Sequence, residues 1–282
     1  VRVTEVSRST VEAWVTWAER ARQPSGGRYA RGTLLGWWRV LVSILRDMAA
    51  DHNTQDPVRR VRPPESSRTG CRESRVLTDE ELSRFLEAVE TFAPDHYVAI
   101  LCMARTGMRA GEVYALRWDC IDFTREEIVV RRTVSGGQLS ETTKTKAARI
   151  VPMHSSLVDA LKSHRKQMME EQHPGLRDNW VFPNVRGGMR LPQAIRPTFQ
   201  LATEAAKIDQ VVSPQVLRRG FNTALLRAGV DRIVLRSILG HCSEAMTARY
   251  AGVDSADKKA AILKVFPGTG KAATGGDGEE GE

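Results

Sequence analysis

Four short segments of this chain concentrate side chains that bind and transfer anions. They are TGMRAGE with Arg109 and Glu112, TKTKAARIVP with Lys144 and Lys146, SPQVLRRGFN with Gln215 and Arg218, and LGHCSEAMTARY with His241 and Tyr250. One chemistry that could use such a set is phosphodiester exchange without a metal. It needs a nucleophile that can hold the phosphate, positive donors around a pentavalent transition state, and a proton source for the departing 5′-oxygen. A tyrosine phenol suits the first role, because a phosphotyrosyl linkage conserves the energy of the broken bond and lets the reverse attack proceed without ATP. Two arginines suit the second, since their fixed forks bind oxyanions and stay charged at every physiological pH. Singly, each residue has an ordinary reading: a tyrosine in a core, a histidine satisfied locally, an arginine in a helix salt bridge, a lysine solvated on a loop. Along the chain they stand in the order Arg109, Lys144, Arg218, His241, Tyr250.

These segments need elements to hold them. Thr78 and Glu81 form a capping box that starts a helix whose buried side is Leu82, Phe85, Leu86 and Val89. Tyr97 to Ala104 is apolar enough for a central helix, which Gly107 interrupts before Val113 and Leu116 resume helical spacing. Ile128 to Thr133 and Arg149 to Pro152 are short β-prone pieces, and Gly136 and Gly137 between them suggest either a hairpin or a three-stranded sheet with a long connection. Val158 to Met169 returns to helix, 170–190 is loop-rich around an apolar Trp180 to Pro183, and three or more helices run from Pro192 to about Phe266. Leu217, Phe221, Ala224 and Leu225 repeat at helical spacing and read as core. This region is mostly helical with a small antiparallel sheet, neither a Rossmann fold nor a run of β-α-β units.

Residues 1–60 read as a separate helical unit. Val11, Trp14, Val15 and Ala18 give one apolar face, and Leu34, Trp38, Leu41, Leu45 and Met48 give a longer helix dressed with Arg28, Arg31, Arg39 and Arg46. Those arginines fit either a solvated bundle surface or contact with a phosphate backbone. Pro63 and Pro64 forbid a continuing helix, so a basic Pro/Arg-rich linker is expected over 61–76, before a domain over 77–267 and a disordered tail over 268–282. The length of 282 residues favours two folded domains, and a hydrophobic fraction of 41% is ordinary for a globular protein. A formal charge of +8 suits a polyanionic partner. Cys102 and Cys120 sit in apolar surroundings, and the four cysteines share no spacing that indicates a disulfide framework or a zinc site. No apolar run is long enough to span a bilayer and no secretory segment opens the chain, so the cytoplasm is the expected location. Val1 in place of an initiator methionine is what a processed product or a fragment would carry, and an N-terminal element could be missing.

The chain resembles the tyrosine recombinases, or phage integrases, across both regions, most sharply at 106–112 and 213–250. The resemblance implies a mainly α fold, an N-terminal helical DNA-binding domain followed by an α+β catalytic domain with a small antiparallel sheet. ARTGMRAGEVYALRW resembles the first arginine box, which makes Arg109 the first catalytic arginine and Glu112 its acidic support. Gly111 stands where the family often has Ser, a tolerable change. TKTKAARIVP resembles the hairpin carrying the catalytic lysine, placing it at Lys144 with Lys146 as the neighbouring alternative; the implied role is general acid toward the leaving 5′-hydroxyl. In SPQVLRRGFN, similar to the second arginine box, Arg218 takes the second arginine position, Gln215 stands where a histidine is usual, and Arg219 replaces another frequent histidine. His241 takes the second histidine position, implying a bond to a non-bridging phosphate oxygen. Tyr250 takes the nucleophile position nine residues later, and Ser243 between them is a plausible helix cap.

The implied activity is site-specific DNA recombination, integration or excision of a mobile element, through a 3′-phosphotyrosyl intermediate with no cofactor and no metal. The implied partner is double-stranded DNA clamped by two domains, with a tetramer on paired sites and a monomer or weak self-association without DNA. In similar enzymes the C-terminal helix docks on a neighbour; Ala256 to Phe266 suits that role or packing into its own domain. Gln215 can donate an amide hydrogen bond to phosphate but cannot be charged or move a proton. The rival readings are therefore a catalytically weak or silent DNA-binding protein and a tyrosine topoisomerase that relaxes DNA. The absence of an HExxH, a P-loop or a carboxylate pair argues against a metalloprotease, an NTPase or a metal nuclease.

Overall fold

The computed structural model describes residues 6–65, 75–141, 148–240 and 255–266. The chain divides into two compact units, Val1–Glu73 and Ser74–Glu282. In the first, α1 (Arg8–Arg20) begins at a Ser7 capping box shared with Thr10 and buries Val11 and Ala18. Helix α2 (Arg31–Asp51) buries Leu34, Leu45 and Ala49. Their small core is supplemented by stacked indoles, Trp14 on Trp38 at 6.2 Å and Trp17 on Trp37 at 6.5 Å. Chain beyond α2 also contributes: Val58 packs with Val11 and Leu45, and the Glu65 amide donates to Glu19 Oε1 at 2.8 Å.

The second unit opens with α3 (Asp79–Phe92), capped as its sequence predicts by the reciprocal bonds of Thr78 and Glu81. Helix α4 (Pro94–Thr106) is buried along most of its length and ends at Gly107 in the left-handed conformation. The helix expected to continue through Leu116 is only the single turn α5 (Ala110–Val113). Val113 and Leu116 are buried as their spacing implies, but the chain leaves the helix to enter a 3-10 turn at Trp118–Cys120 and strand β1 (Ile121–Asp122). Both β alternatives are realised. A three-stranded antiparallel sheet joins β1, β2 (Glu127–Val130) and β5 (Arg149–Pro152) in the order β1-β2-β5. A separate hairpin pairs β3 (Thr133–Ser135) with β4 (Gln138–Ser140). Gly136 and Gly137, at φ 57° and 80°, make its two-residue turn, a conformation that suits the twist of paired strands and favours glycine.

Helix α6 (Ser155–Glu170) follows, then a 170–190 segment without long elements, and α7 (Arg196–Ala205), α8 (Pro214–Arg227), α9 (Arg232–Leu239) and α10 (Ser255–Val265). One continuous core includes Phe85, Ile100, Met103, Ile128, Leu161 and Leu225. Leu217, Phe221 and Leu225 of α8 lie in it, while Ala224 is half-buried. Helix α10 packs within its own unit, with Ala261 and Ile262 buried and Phe266 stacked on Phe221 at 6.4 Å. Cys102 and Cys120 are free and buried. Among the described residues no helix is long and apolar enough to cross a membrane, and no cluster of His, Cys, Asp and Glu is placed to hold a metal ion.

Candidate active site

The turn after α4 aims Arg109. Met108 is fully buried and anchors the chain, and Arg109 then becomes the N-cap of α5. Glu112, three residues on, reaches back to accept from the Arg109 amide at 2.8 Å and from Arg109 Nη1 at 3.0 Å. The Arg109 side chain is thus oriented from below by a carboxylate while remaining 36% exposed toward solvent.

Glu112 itself is buried, and its charge is met from a second direction. Arg149, on β5, donates from Nη1 to Oε1 at 3.1 Å and from Nη2 to Oε2 at 2.6 Å, a bidentate pair between side chains 8% and 2% exposed. Burial pushes the Glu112 carboxyl up, but the bonds and charge of Arg149 and then Arg109 outweigh it and hold the group below its ordinary range. Arg149 Nε also donates to the Ile238 carbonyl at 2.9 Å, tying the end of α9 to the sheet.

The second arginine comes from α8. Pro214 at the first helical position costs no hydrogen bond, because that amide has no intrahelical partner anyway, and places Gln215 and Arg218 in the opening turns. Arg218 is buried, donating from Nη2 to the Leu239 carbonyl at 2.7 Å and from Nη1 to the Gly107 carbonyl. Burial and then repulsion from Arg109 pull its guanidinium down to about 10. It therefore stays protonated at neutral pH. Gln215 is exposed one turn earlier.

Arg109, Gln215 and Arg218 line one cleft of about 740 Å³ between α8 and α9, together with Arg219, Arg232 and Arg236. None of the residues described as lining it is acidic. Clustering five arginines costs mutual repulsion, which Glu112 offsets at Arg109 and which an anion entering the cleft would relieve further. Chemically, such a site can bind a phosphodiester and stabilise extra negative charge on it.

Of the residues singled out in the sequence, the structure thus brings Arg109, Gln215 and Arg218 to one cleft and sets Glu112 beneath Arg109. Lys144, Lys146, His241, Ser243 and Tyr250 lie outside the described residues, as does the 268–282 tail. Arg149 was missed. Strand alternation puts it on the same side as core residue Val151, and a charge facing inward needs a buried partner, a signal that pairing with Glu112 would have answered. Arg232 and Arg236, four residues apart on one face of α9, were missed for a different reason: charged residues on an exposed helix face look alike whatever they border.

The model of the phage integrase family matches residues 75–257. The chain belongs to that family. Tyrosine recombinase XerC of Rhizobium meliloti (strain 1021) is 27% identical over 245 residues, 85% of this chain and 71% of the relative. Tyrosine recombinase XerD of Caulobacter vibrioides is 30% identical over 207 residues, 71% of this chain and 63% of the relative. XerD of Mycobacterium tuberculosis is 32% identical over 203 residues, covering 69% and 61%. Among solved structures, the Tn1549 transposon integrase in complex with transposon right end DNA superposes with a TM-score of 0.69 at 19% identity, over 94% of this chain and 86% of that one. XerA recombinase gives 0.51 at 22% identity, over 95% and 86%. These likenesses bear out the mainly α recombinase fold. As a member of this family the chain is an enzyme of the tyrosine recombinase class, whose reaction is site-specific DNA recombination.

Proposed function

We propose that the α8–α9 cleft holds the scissile phosphate of duplex DNA and that Tyr250 cleaves it. The observation that carries this reading is the convergence of Arg109 and Arg218, from segments over a hundred residues apart, on one arginine-rich cleft. The Tyr250 phenol oxygen attacks phosphorus and loses its proton to solvent, since Gln215 cannot accept it, and the bond to the 5′-oxygen breaks. That oxygen takes a proton from Lys144, with Lys146 as the alternative donor, leaving a 3′-phosphotyrosyl bond and a free 5′-hydroxyl. Arg109 and Arg218 offset the charge that grows on the non-bridging oxygens, His241 bonds one of them, and Gln215 adds an amide donor that carries no charge. A partner strand's 5′-hydroxyl then attacks the phosphotyrosyl bond, reversing the first step on new DNA. We assign this work to a tetramer on paired sites in the cytoplasm, with the unit before residue 61 and the basic 61–76 segment contributing phosphate contacts.

Gln215 favours one second reading, a protein that binds its site but cleaves slowly or not at all. A nicked suicide substrate separates the two. Wild-type chain should form a covalent protein–DNA adduct that survives denaturing electrophoresis, and Tyr250→Phe should form none. Specific binding without an adduct from the wild type would sink the cleavage reading in favour of the silent one.

A further inference from the structure

We propose that Arg149 is a positioning residue for strand cleavage, which holds Arg109 and the chain entering His241 in one frame. This inference rests on the cleft being the cleavage site. Three donors of one guanidinium are used on two elements far apart in sequence. Nη1 and Nη2 grip Glu112, which lies 37 residues away and in turn fixes the fork of Arg109. Nε takes the carbonyl of Ile238, which lies 89 residues away in the last turn of α9. Arg218 takes the next carbonyl, Leu239. The terminal carbonyls of a helix lack intrahelical partners and attract cations, so these two arginines clamp the end of α9 to β5 and α8.

The clamp closes against the residue that precedes His241. A Cβ placed on Gly240 would stand 3.0 Å from Arg149 Cδ and 3.1 Å from its Nη1, so this guanidinium packs directly on the Gly240 backbone. Arg149 also begins β5, five residues after Lys144. One side chain therefore links the strand that follows the lysine segment, the support of Arg109, and the exit of α9 toward His241 and Tyr250. Stability alone gives little reason for it. A buried ion pair generally does no better than a well-packed apolar pair of similar volume, and β5 would take a valine readily. What an apolar residue could not supply is a fixed three-way angle between groups that must meet one phosphate. Lysine could not supply it either, because an ammonium is a point donor without the planar fork.

The test compares Arg149→Lys with wild type, at a temperature where melting curves show both folded. DNA affinity is read by titration, adduct formation in single turnover on the nicked substrate at saturating protein, and backbone order by hydrogen exchange of peptides covering 108–113 and 236–241. The expected result is affinity within about threefold, an adduct rate lower by about 10–100-fold, by analogy with the loss when the outer-shell partner of a metal ligand is removed, and faster exchange in both peptides. An adduct rate within twofold of wild type, a rate loss matched by the loss of affinity, or unchanged exchange at 236–241 would each overturn the proposal. If wild type makes no adduct, the cleavage reading fails by itself, and the exchange comparison still decides whether Arg149 holds the frame.

Discussion

Glu112→Gln is the perturbation whose cost the structure specifies most closely. The carboxylate is 2% exposed and accepts four hydrogen bonds: two from Arg149, at 3.1 and 2.6 Å, and two from Arg109, at 3.0 Å from Nη1 and 2.8 Å from the amide. A carboxamide of the same shape offers one acceptor oxygen and turns an NH₂ toward the remaining donors. At least one N–H of Arg149 or Arg109 then meets another donor, and the buried charge of Arg149 loses its counterion. Breaking a buried pair by removing one partner typically costs about 3–5 kcal/mol. For a unit of this size each kcal/mol lowers Tm by about 2–4 °C, so calorimetry should show the transition of the larger unit falling by roughly 6–20 °C at pH 7. The pH dependence follows from the direction of the shift. Glu112 is held below its ordinary range when folded, so its contribution is fully present above the unfolded carboxyl value of about 4.3 and is lost as pH falls through the lower folded value. The gap between wild type and Glu112→Gln should therefore be flat from pH 8 to about 5.5 and narrow only in stronger acid. A loss below about 1 kcal/mol at pH 7, or a gap that widens on acidification, would refute the reasoning.

Two further outcomes follow from the same geometry. A Cβ on Gly111 would lie 2.4 Å from the Val134 carbonyl oxygen and 2.9 Å from Thr133 Oγ1, so the β3–β4 hairpin leaves no room there for the Ser that the family often carries. Gly111→Ala should cost about 1–3 kcal/mol, read as a lower urea midpoint with an unchanged slope, and an unchanged midpoint would refute the close approach. Gln215 is exposed in the cleft, so Gln215→His should fold normally and restore a group that can move protons. Adduct formation should rise at least about tenfold and acquire a dependence on pH between about 6 and 8; a rate unchanged across that range would show that the position only contacts phosphate.

The helices of the larger unit were legible because their signals are local. The Thr78–Glu81 box and the spacing of Phe85, Leu86 and Val89 need nothing beyond a few neighbours to act, and both appear as expected. The Gly136–Gly137 turn is equally local. The helix after Arg109 was overestimated because Val113 and Leu116 are apolar at helical spacing whether the chain continues as a helix or turns away with both buried. Likewise, the apolar side of α10 was visible and fitted either docking on a neighbour or packing into its own domain; that Phe266 stacks on Phe221 in the same unit was decided by the fold.

What the sequence by itself determined is the order of reactive residues, the helical caps and the apolar faces, each set by covalent neighbours and backbone period. Only the tertiary structure decided how the charges are shared. That Glu112 serves Arg149 as well as Arg109, and that Arg149 and Arg218 divide the last carbonyls of α9, depends on contacts spanning 37, 89 and 21 residues. An arginine reads the same in a sequence whether it ends in water or against a buried carboxylate; the fold fixes which, because only chain crossing in space removes the water and supplies the partner.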